Sequence, residues 1–230
     1  GDYGNAQKLQ EERSRSDALL RNILPDAVAA RLKAHDDTLV DRYEHVTVMF
    51  ADLSGFTAAS ERLPPGQVVE ALNTIFSAFD RLAQAHGVEK IKTIGDAYLA
   101  AAGVPEPRAD HAQAVARLAL DMRRTLRELH TPLGDTLRMR IGMHSGPVVA
   151  GVIGAHRFAY DLWGDTVNTA ARLERHGHTD HIHLSATTAA LLGDAFELEP
   201  RGEVEIKDKG TMQTWWLLGE RPPSAALPPP

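Results

Sequence analysis

Cysteine is absent from the 230 residues, which excludes disulfides and any chemistry carried by a thiolate and is compatible with a reducing cytoplasm. A basic surplus is absent as well. The formal charge is −6, against the positive balance usual in general nucleic-acid binders, although a local basic cluster for a small phosphorylated ligand stays open. No apolar run approaches the ~18 residues that suggest a membrane span, and no signal-peptide pattern follows Gly1. A start at Gly1 rather than Met reads as a piece of something longer, with a membrane anchor or an upstream sensor expected in the remainder and this part on the cytoplasmic side. There is no internal repeat. What is present, 43% hydrophobic and 24% charged residues, is enough for a full-sized core.

Three stretches separate along the chain. Residues 1–40 hold a polar, helix-friendly segment, "AQKLQEERSRSDALLRNIL", with a sparse apolar stripe of Leu9, Leu20, Ile23 and Leu24. A break at Pro25 and a second short helix with Val28 and Leu32 on one side follow. A stripe this narrow points to a helix paired in a dimerising coiled coil, or to one lying on its own domain. Residues 41–220 form the main domain, and residues 221–230 a Pro-rich tail with nothing to bury, expected to be disordered.

Within the main domain, "HVTVMFADLSGF" reads as an apolar strand ending in a Gly-containing loop. Val68, Val69, Leu72, Ile75, Phe76, Phe79 and Leu82 recur at helical spacing until Gly87 stops the helix. "VEKIKTIGDAYLA" is a hairpin. A second amphipathic helix follows with Asp110 as its N-cap. "LRMRIGMHSGPVVAGVIG" then reads as strand, Ser-Gly-Pro turn and strand. Asp165 is expected to cap one further helix, Ser185 another, and closing strands complete the order. The order β-α-β-β-α-β is the ferredoxin-like plan of an α+β fold, an antiparallel sheet with helices on one face.

On that plan the first strand lies beside the hairpin, so Asp52 and Asp96 become neighbours. Two adjacent carboxylates repel unless a cation neutralises them or one takes a proton. Oxygen donors of this kind suit Mg²⁺. The plainer alternative has Asp52 closing a turn through residues 54–57 and Asp96 serving only the hairpin. "SGFT" follows Asp52 directly and precedes a helix, so its backbone N–H groups could cradle phosphate.

Four of these segments, "FADLSGFT", "KIKTIGDAYLA", "RIGMHSGPVVAGVIG" and "YDLWGDTVNTAARLE", resemble the catalytic domain of class III nucleotidyl cyclases over roughly residues 43–218. "LLRNILPDAVAARL" resembles the helical coupling segment that often precedes it in membrane-anchored members. The resemblance implies an adenylyl cyclase converting ATP to cyclic AMP and pyrophosphate with two divalent cations, Mg²⁺ or Mn²⁺. It implies metal binding by Asp52 and Asp96, with the Leu53 carbonyl as an extra ligand. Lys92 and Asp161 would read the purine, Asn168 would orient the ribose, and Arg172 would stabilise the transition state. Lys207, with the loop of Gly55, Phe56 and Thr57, would meet the triphosphate. Asp208 stands where the family usually has glycine. Guanylyl-type members carry Glu and Cys where this chain has Lys92 and Asp161. Family sites lie at a subunit boundary, so a homodimer with two composite sites is implied. A guanylyl or dual-specificity cyclase, and an inert regulatory dimerisation module, are the alternatives.

Other constellations read as structural. His176, His178, His181 and His183 lack the framework of a zinc site and are expected in a loop leading to a strand with alternate rings facing solvent. Gly146, Gly151 and Gly154 are separated by strand-like apolar residues rather than forming a phosphate loop. Of Trp215 and Trp216, one is expected to pack inward and the other to sit at a surface or interface. Read alone, Arg172 would be a surface arginine pairing with Glu174 or Asp165.

Overall fold

The nearly continuous apolar run "VTVMFADL" sets the spine of the molecule. In the computed structural model, which describes residues 2–34, 39–133, 136–154 and 158–223, it lies in strand β1 (Val40–Ser54). Met49, Ala51 and Leu53 face one side and Val46 and Val48 the other, all buried, as the twofold period of a strand requires. Around β1 the chain runs α1 (Asp2–Ile23), α2 (Asp26–Ala34), β1, α3 (Phe56–Ser60), α4 (Pro65–His86), β2 (Glu89–Ile94), β3 (Ala97–Ala102), α5 (His111–Glu128), β4 (Arg138–Ile153), β5 (Ala159–Trp163), α6 (Asp165–Arg175), β6 (His181–Ser185), α7 (Ala186–Leu192), β7 (Phe196–Ile206) and β8 (Gly210–Glu220). The α+β core is the expected one, enlarged to an eight-stranded sheet of order β2-β3-β1-β4-β6-β8-β7, with β5 also on β4.

Two expectations about this sheet need correction. It is mixed, because β6 runs parallel to β4. Helices also cover both faces. The larger core joins Ile75 and Phe79 of α4 and Leu118 and Met122 of α5 to Met49, Tyr98, Ile141 and Met143. The smaller core, on the opposite face, packs Val167 and Ala170 of α6 and Leu24, Val28 and Ala29 against Val46, Val48, Leu99, Val148 and Leu162. Both faces of the central strands are therefore apolar, which draws cover to each. Val69 is exposed, about 100° around α4 from Val68 and off the edge of the stripe that faces the core.

The Ser-Gly-Pro turn does not exist either; β4 is one continuous strand of 16 residues. Its register with β1 jumps from Tyr43–Val148 to Val46–Gly146, so a bulge on β1 lies opposite Pro147. Proline has no N–H to give the ladder, and a bulge is where a sheet tolerates it. Gly146, expected in the turn, and Gly151 both lie within this strand, and a side chain at Gly151 would strike the Leu39 carbonyl.

Helix ends follow local chemistry in part. Gly87 closes α4 at φ 65°, a conformation that favours glycine. The Ser185 side chain accepts from the Thr188 amide at the start of α7. Asp110 holds the N-cap position of α5 without capping it, because Arg108 grips both its oxygens at 2.7 and 2.9 Å. The residue before α6 is Gly164, and Asp165 is the first helical residue, its carboxylate paired with Lys209. A long-range cation outcompetes the cap in the second case and a local one in the first.

α1 ends at Ile23, and the Pro25 carbonyl accepts from the Ala29 amide to begin α2. Of the N-terminal stripe, Leu24 and Val28 are buried, whereas Leu9 and Ile23 are more than half exposed; the Leu20 side chain is outside the described residues, as are residues 224–230 of the tail. No described helix is long and apolar enough to cross a membrane.

α6 approaches β4 closely at Gly142. A methyl group there would overlap the Glu174 amide nitrogen and stand 2.7 Å from the Ala170 carbonyl oxygen. Gly142→Ala is expected to lower stability by about 1–3 kcal/mol, the usual cost of overpacking, seen as a lower urea midpoint at unchanged slope.

Candidate active site

The hairpin of β2 and β3 delivers Asp96 to the end of β1. Asp52 lies opposite Ala97 of β3 and Arg140 of β4, and the Asp96 and Asp52 carboxylates come within hydrogen-bonding reach. Burial first, and then the Asp52 charge, push the Asp96 carboxyl above its ordinary range. Asp52 Oδ1 accepts from the Leu53 amide at 2.9 Å, so Asp52 does bridge to its neighbour while its other oxygen stays directed into the cluster.

Two residues that sequence reasoning passed over complete this cluster. Arg140 Nη2 stands 3.4 Å from both Asp52 Oδ2 and Glu174 Oε1, and its Nε is buried without a partner. Glu174 is buried on α6; burial and a hydrogen bond with Asp52 raise its carboxyl above the usual range. Glu174 carried a signal, since it falls in line with Val167, Ala170 and Leu173 on the buried stripe of α6. An acidic group on an apolar stripe asks for a partner. Arg140 carried none, because its place opposite Asp52 depends on strand register.

Lys92 does not pair with Asp96, four residues away. Its Nζ donates to Asp161 Oδ2 at 2.7 Å, across 69 residues of sequence. Two features produce this contact. The β2–β3 register shifts between Lys90 and Lys92, so Lys90 points to the α4 face, where it meets Asp80 at 2.9 Å, and Lys92 to the other. β5, hydrogen-bonded to the far end of β4, must then curl back across the smaller core to bring Asp161 to β2. Asp161 Oδ1 also accepts from the Leu162 amide at 2.8 Å, which fixes the carboxylate. The pair is partly exposed, and as an ion pair contributes no more than about 1 kcal/mol.

Asn168 and Arg172 lie one turn apart on α6 and project together. Arg172 meets neither Glu174 nor Asp165. Its Nη1 donates to the Lys207 carbonyl at 2.6 Å and its Nη2 lies 3.4 Å from Asp208. The β7–β8 turn carrying exposed Lys207 is thereby tied to α6, doubly so through Lys209 and Asp165. Asp208 adopts φ 64°, a left-handed conformation that aspartate tolerates better than most side chains, so the glycine usual there is not required. Arg172 and Glu174 are two residues apart, about 200° around the helix. One helix thus turns Arg172 toward the β7–β8 turn and Glu174 toward Asp52, and among the described residues no bond links Arg172 to the carboxylate pair. Gly55, at φ 86°, precedes α3, and the first-turn amides of Phe56 and Thr57 have no partners within the helix.

The histidines form no metal cluster; no group of three or more His, Asp or Glu side chains among the described residues is arranged to hold an ion. His183 is fully buried rather than alternating with solvent. Its Nδ1 donates to the Leu173 carbonyl at 2.8 Å and its ring stacks beside Trp216, over which Arg201 lies. Trp216 is the more buried of the two tryptophans, whereas Trp215 is half-buried and packs on the larger core, so the expected division into one inward and one surface ring does not hold.

The family model of the adenylate and guanylate cyclase catalytic domain matches residues 39–219. Adenylate cyclase of Mycobacterium tuberculosis is 43% identical over 222 residues, 96% of this chain and 50% of that protein. Atrial natriuretic peptide receptor 2 of Bos taurus is 45% identical over 227 residues, 96% of this chain and 22% of the receptor. The chain therefore spans half the length of the mycobacterial relative and about a fifth of the receptor. The solved guanylate cyclase domain of RhGC from Catenaria anguillulae, in complex with GTP, shares 40% identity at a TM-score of 0.76, covering 79% of this chain and 100% of that one. A match that runs from the start of β1 to the end of β8 leaves one conclusion: the chain belongs to the family of adenylate and guanylate cyclase catalytic domains.

Proposed function

We propose that the chain is an adenylyl cyclase, joining the ribose 3′ oxygen of ATP to its own α-phosphorus with loss of pyrophosphate. The observation that carries the choice of base is the Lys92–Asp161 contact. Adenine presents a donor at N6 and an acceptor at N1, and an ammonium held beside a carboxylate offers the complementary order. Guanine reverses both groups and would set O6 against the carboxylate.

The reaction's other demands fall on the remaining residues. Arg172 supplies fixed positive charge where the phosphoryl and leaving oxygens gain negative charge. Asn168, one turn away, orients the ribose. Lys207 and the amides around Gly55, Phe56 and Thr57 neutralise and cradle the triphosphate. Asp52 and Asp96, with the Leu53 carbonyl, suit divalent cations. Two carboxylates forced together, one held toward its protonated form, are a pair that a cation relieves, and Mg²⁺ or Mn²⁺ is commonly held by one or two carboxylates with substrate phosphates completing the shell. Such ions, when bound, activate the attacking oxygen and neutralise the leaving group.

The divergence of Arg172 from Asp52 within one chain supports a homodimer in which each nucleotide meets the carboxylates of one protomer and the Lys92, Asp161, Asn168 and Arg172 of its partner. Incubating the protein with ATP or GTP and Mn²⁺ tests the reading. Cyclic AMP is expected as the dominant product. Dominant cyclic GMP would identify a guanylyl cyclase, and no product from either would leave a regulatory module.

A further inference from the structure

Apart from the carboxylate cluster, a buried chain of hydrogen-bonded side chains begins at a cavity and ends beside α6. His111 Nδ1 bonds Thr47 Oγ1 at 2.8 Å. Thr47 Oγ1 bonds Ser145 Oγ at 2.7 Å, and Ser145 bonds Thr188 Oγ1 at 2.9 Å. Thr188 bonds Ser185 Oγ at 3.2 Å, and Ser185 bonds His144 Nδ1 at 2.7 Å. All four hydroxyl residues are at most 3% exposed, so bulk solvent does not reach them and their bonds to one another dominate. The path crosses the sheet at an interval in β4, between the stretch 140–143 that pairs with β6 and the stretch 149–153 that pairs with β5. At one end His111 lines a cavity of about 540 Å³ with Arg42, His45, Pro107 and Arg108. At the other end His144 lies in the field of Asp165 and Lys209, the ion pair that ties α6 to the β7–β8 turn.

Proton counting constrains this chain. Five hydrogen bonds need five protons, and four hydroxyls supply four. One terminal histidine must therefore supply the fifth from Nδ1, and the other must accept at Nδ1. If both carried an Nδ1 proton, two donors would meet within the chain; if neither did, one bond would be lost in a buried setting where that is costly. Either direction satisfies every member, including Ser185, which accepts additionally from the Thr188 amide. The chain thus has two states of equal bond count, and each is a concerted reversal of the other.

We infer that His111 and His144 are the two ends of one proton-ordered relay, so that the tautomer of the ring lining the cavity fixes the tautomer of the ring beside α6. A hydrogen bond or a proton delivered to His111 from the cavity side selects one direction of the chain, and Nε2 of His144 then changes from acceptor to donor, or the reverse, in the field of the Asp165–Lys209 pair. The groups facing His111 are His45, Arg108 and Asp110, and burial is the leading influence holding its imidazolium form down; burial likewise disfavours charge on His144, opposed by Asp165 and aided by Lys209. Both rings are accordingly neutral at pH 7.5, where the counting applies.

The relay is tested without reference to catalysis. Histidine-labelled protein at pH 7.5 is read by long-range proton–nitrogen correlation, which reports which ring nitrogen carries the proton. The expected result is opposite Nδ1 states at His111 and His144. Identical Nδ1 states at the two neutral rings overturn the inference. On acidification, a charged His111 must donate from Nδ1, so His144 must then show an unprotonated Nδ1. A charged His111 coexisting with an Nδ1 proton on neutral His144 overturns it equally. In Thr47→Val, which cuts the chain one residue from His111, the response of His144 to the titration of His111 is expected to vanish; persistence of that response would also overturn the relay.

Discussion

Replacing Lys92 by Glu and Asp161 by Cys together is expected to move the ratio of kcat/KM for ATP over GTP by about 10⁴ toward GTP. The magnitude follows from what a site built of buried hydrogen-bonding groups does to a ligand that presents the wrong polarity. The introduced glutamate would accept from guanine N1–H, and a thiol would remove the carboxylate that repels O6. Asp161→Cys alone leaves a lysine facing a donor, and Lys92→Glu alone leaves two carboxylates side by side, so each single change is expected to depress turnover of both nucleotides. Steady-state rates with the two nucleotides decide the matter, and a ratio unchanged in the double variant would remove Lys92 and Asp161 from base selection. The bond between Lys92 and Asp161 makes this pair the natural unit to exchange, because breaking one side of a pair penalises the other.

Arg172→Ala is expected to lower kcat by about 10²–10³, the usual cost of removing one positioned donor from a developing anion. kcat and kcat/KM should fall together, since the group acts in the transition state. Asp52→Ala is expected to be inactive for a different reason, loss of half the carboxylate pair. Mixing the impaired Arg172→Ala protein with the inactive Asp52→Ala protein then separates one-chain from two-chain sites. With random pairing in a twofold dimer, half the molecules are heterodimers with one intact site each, giving about a quarter of the wild-type rate. Heterodimers that form but regain no activity would show that Arg172 and Asp52 act within one chain. The present geometry favours recovery, because Arg172 is engaged by the β7–β8 turn while Asp52 faces Arg140, Asp96 and Glu174.

Local chemistry was legible where a neighbour in sequence completes it. Gly87 and Ser185 ended and began their helices as read, because a left-handed turn and a hydroxyl cap need only a few adjacent residues. Asp110 and Asp165 stand at or beside the predicted caps, yet cations hold their side chains away from capping. Lys209, which takes Asp165, lies 44 residues away, beyond any local signal. The turn expected at Gly146 and Pro147 failed for a similar reason. The device that accommodates Pro147 is a bulge on another strand, β1. The fold plan placed Asp52 beside Asp96 correctly, since antiparallel neighbours and a short hairpin leave little freedom. Arg140 was invisible, since only the β1–β4 register gives it significance. The meeting of Lys92 with Asp161 came from motif resemblance; nothing in spacing or periodicity reveals that a bulge in β2 and a curled β5 bring them together.

β2 has a second consequence through its place in the sheet. It is a terminal strand, with β3 on one side and no strand on the other among the described residues. An open ladder edge of this kind is a template for another chain, and cationic side chains along it are a common safeguard against aggregation. "EKIKTI" presents Lys90 and Lys92 along such an edge, with Ile94 half exposed beside them. Lys92 therefore has a duty of solubility as well as its proposed duty toward a base. A polar exchange such as Lys92→Glu keeps a charge in the second half of the edge, whereas an apolar one would leave residues 91–94 without a charge and more open to pairing, and its loss of activity would be mixed with loss of soluble protein.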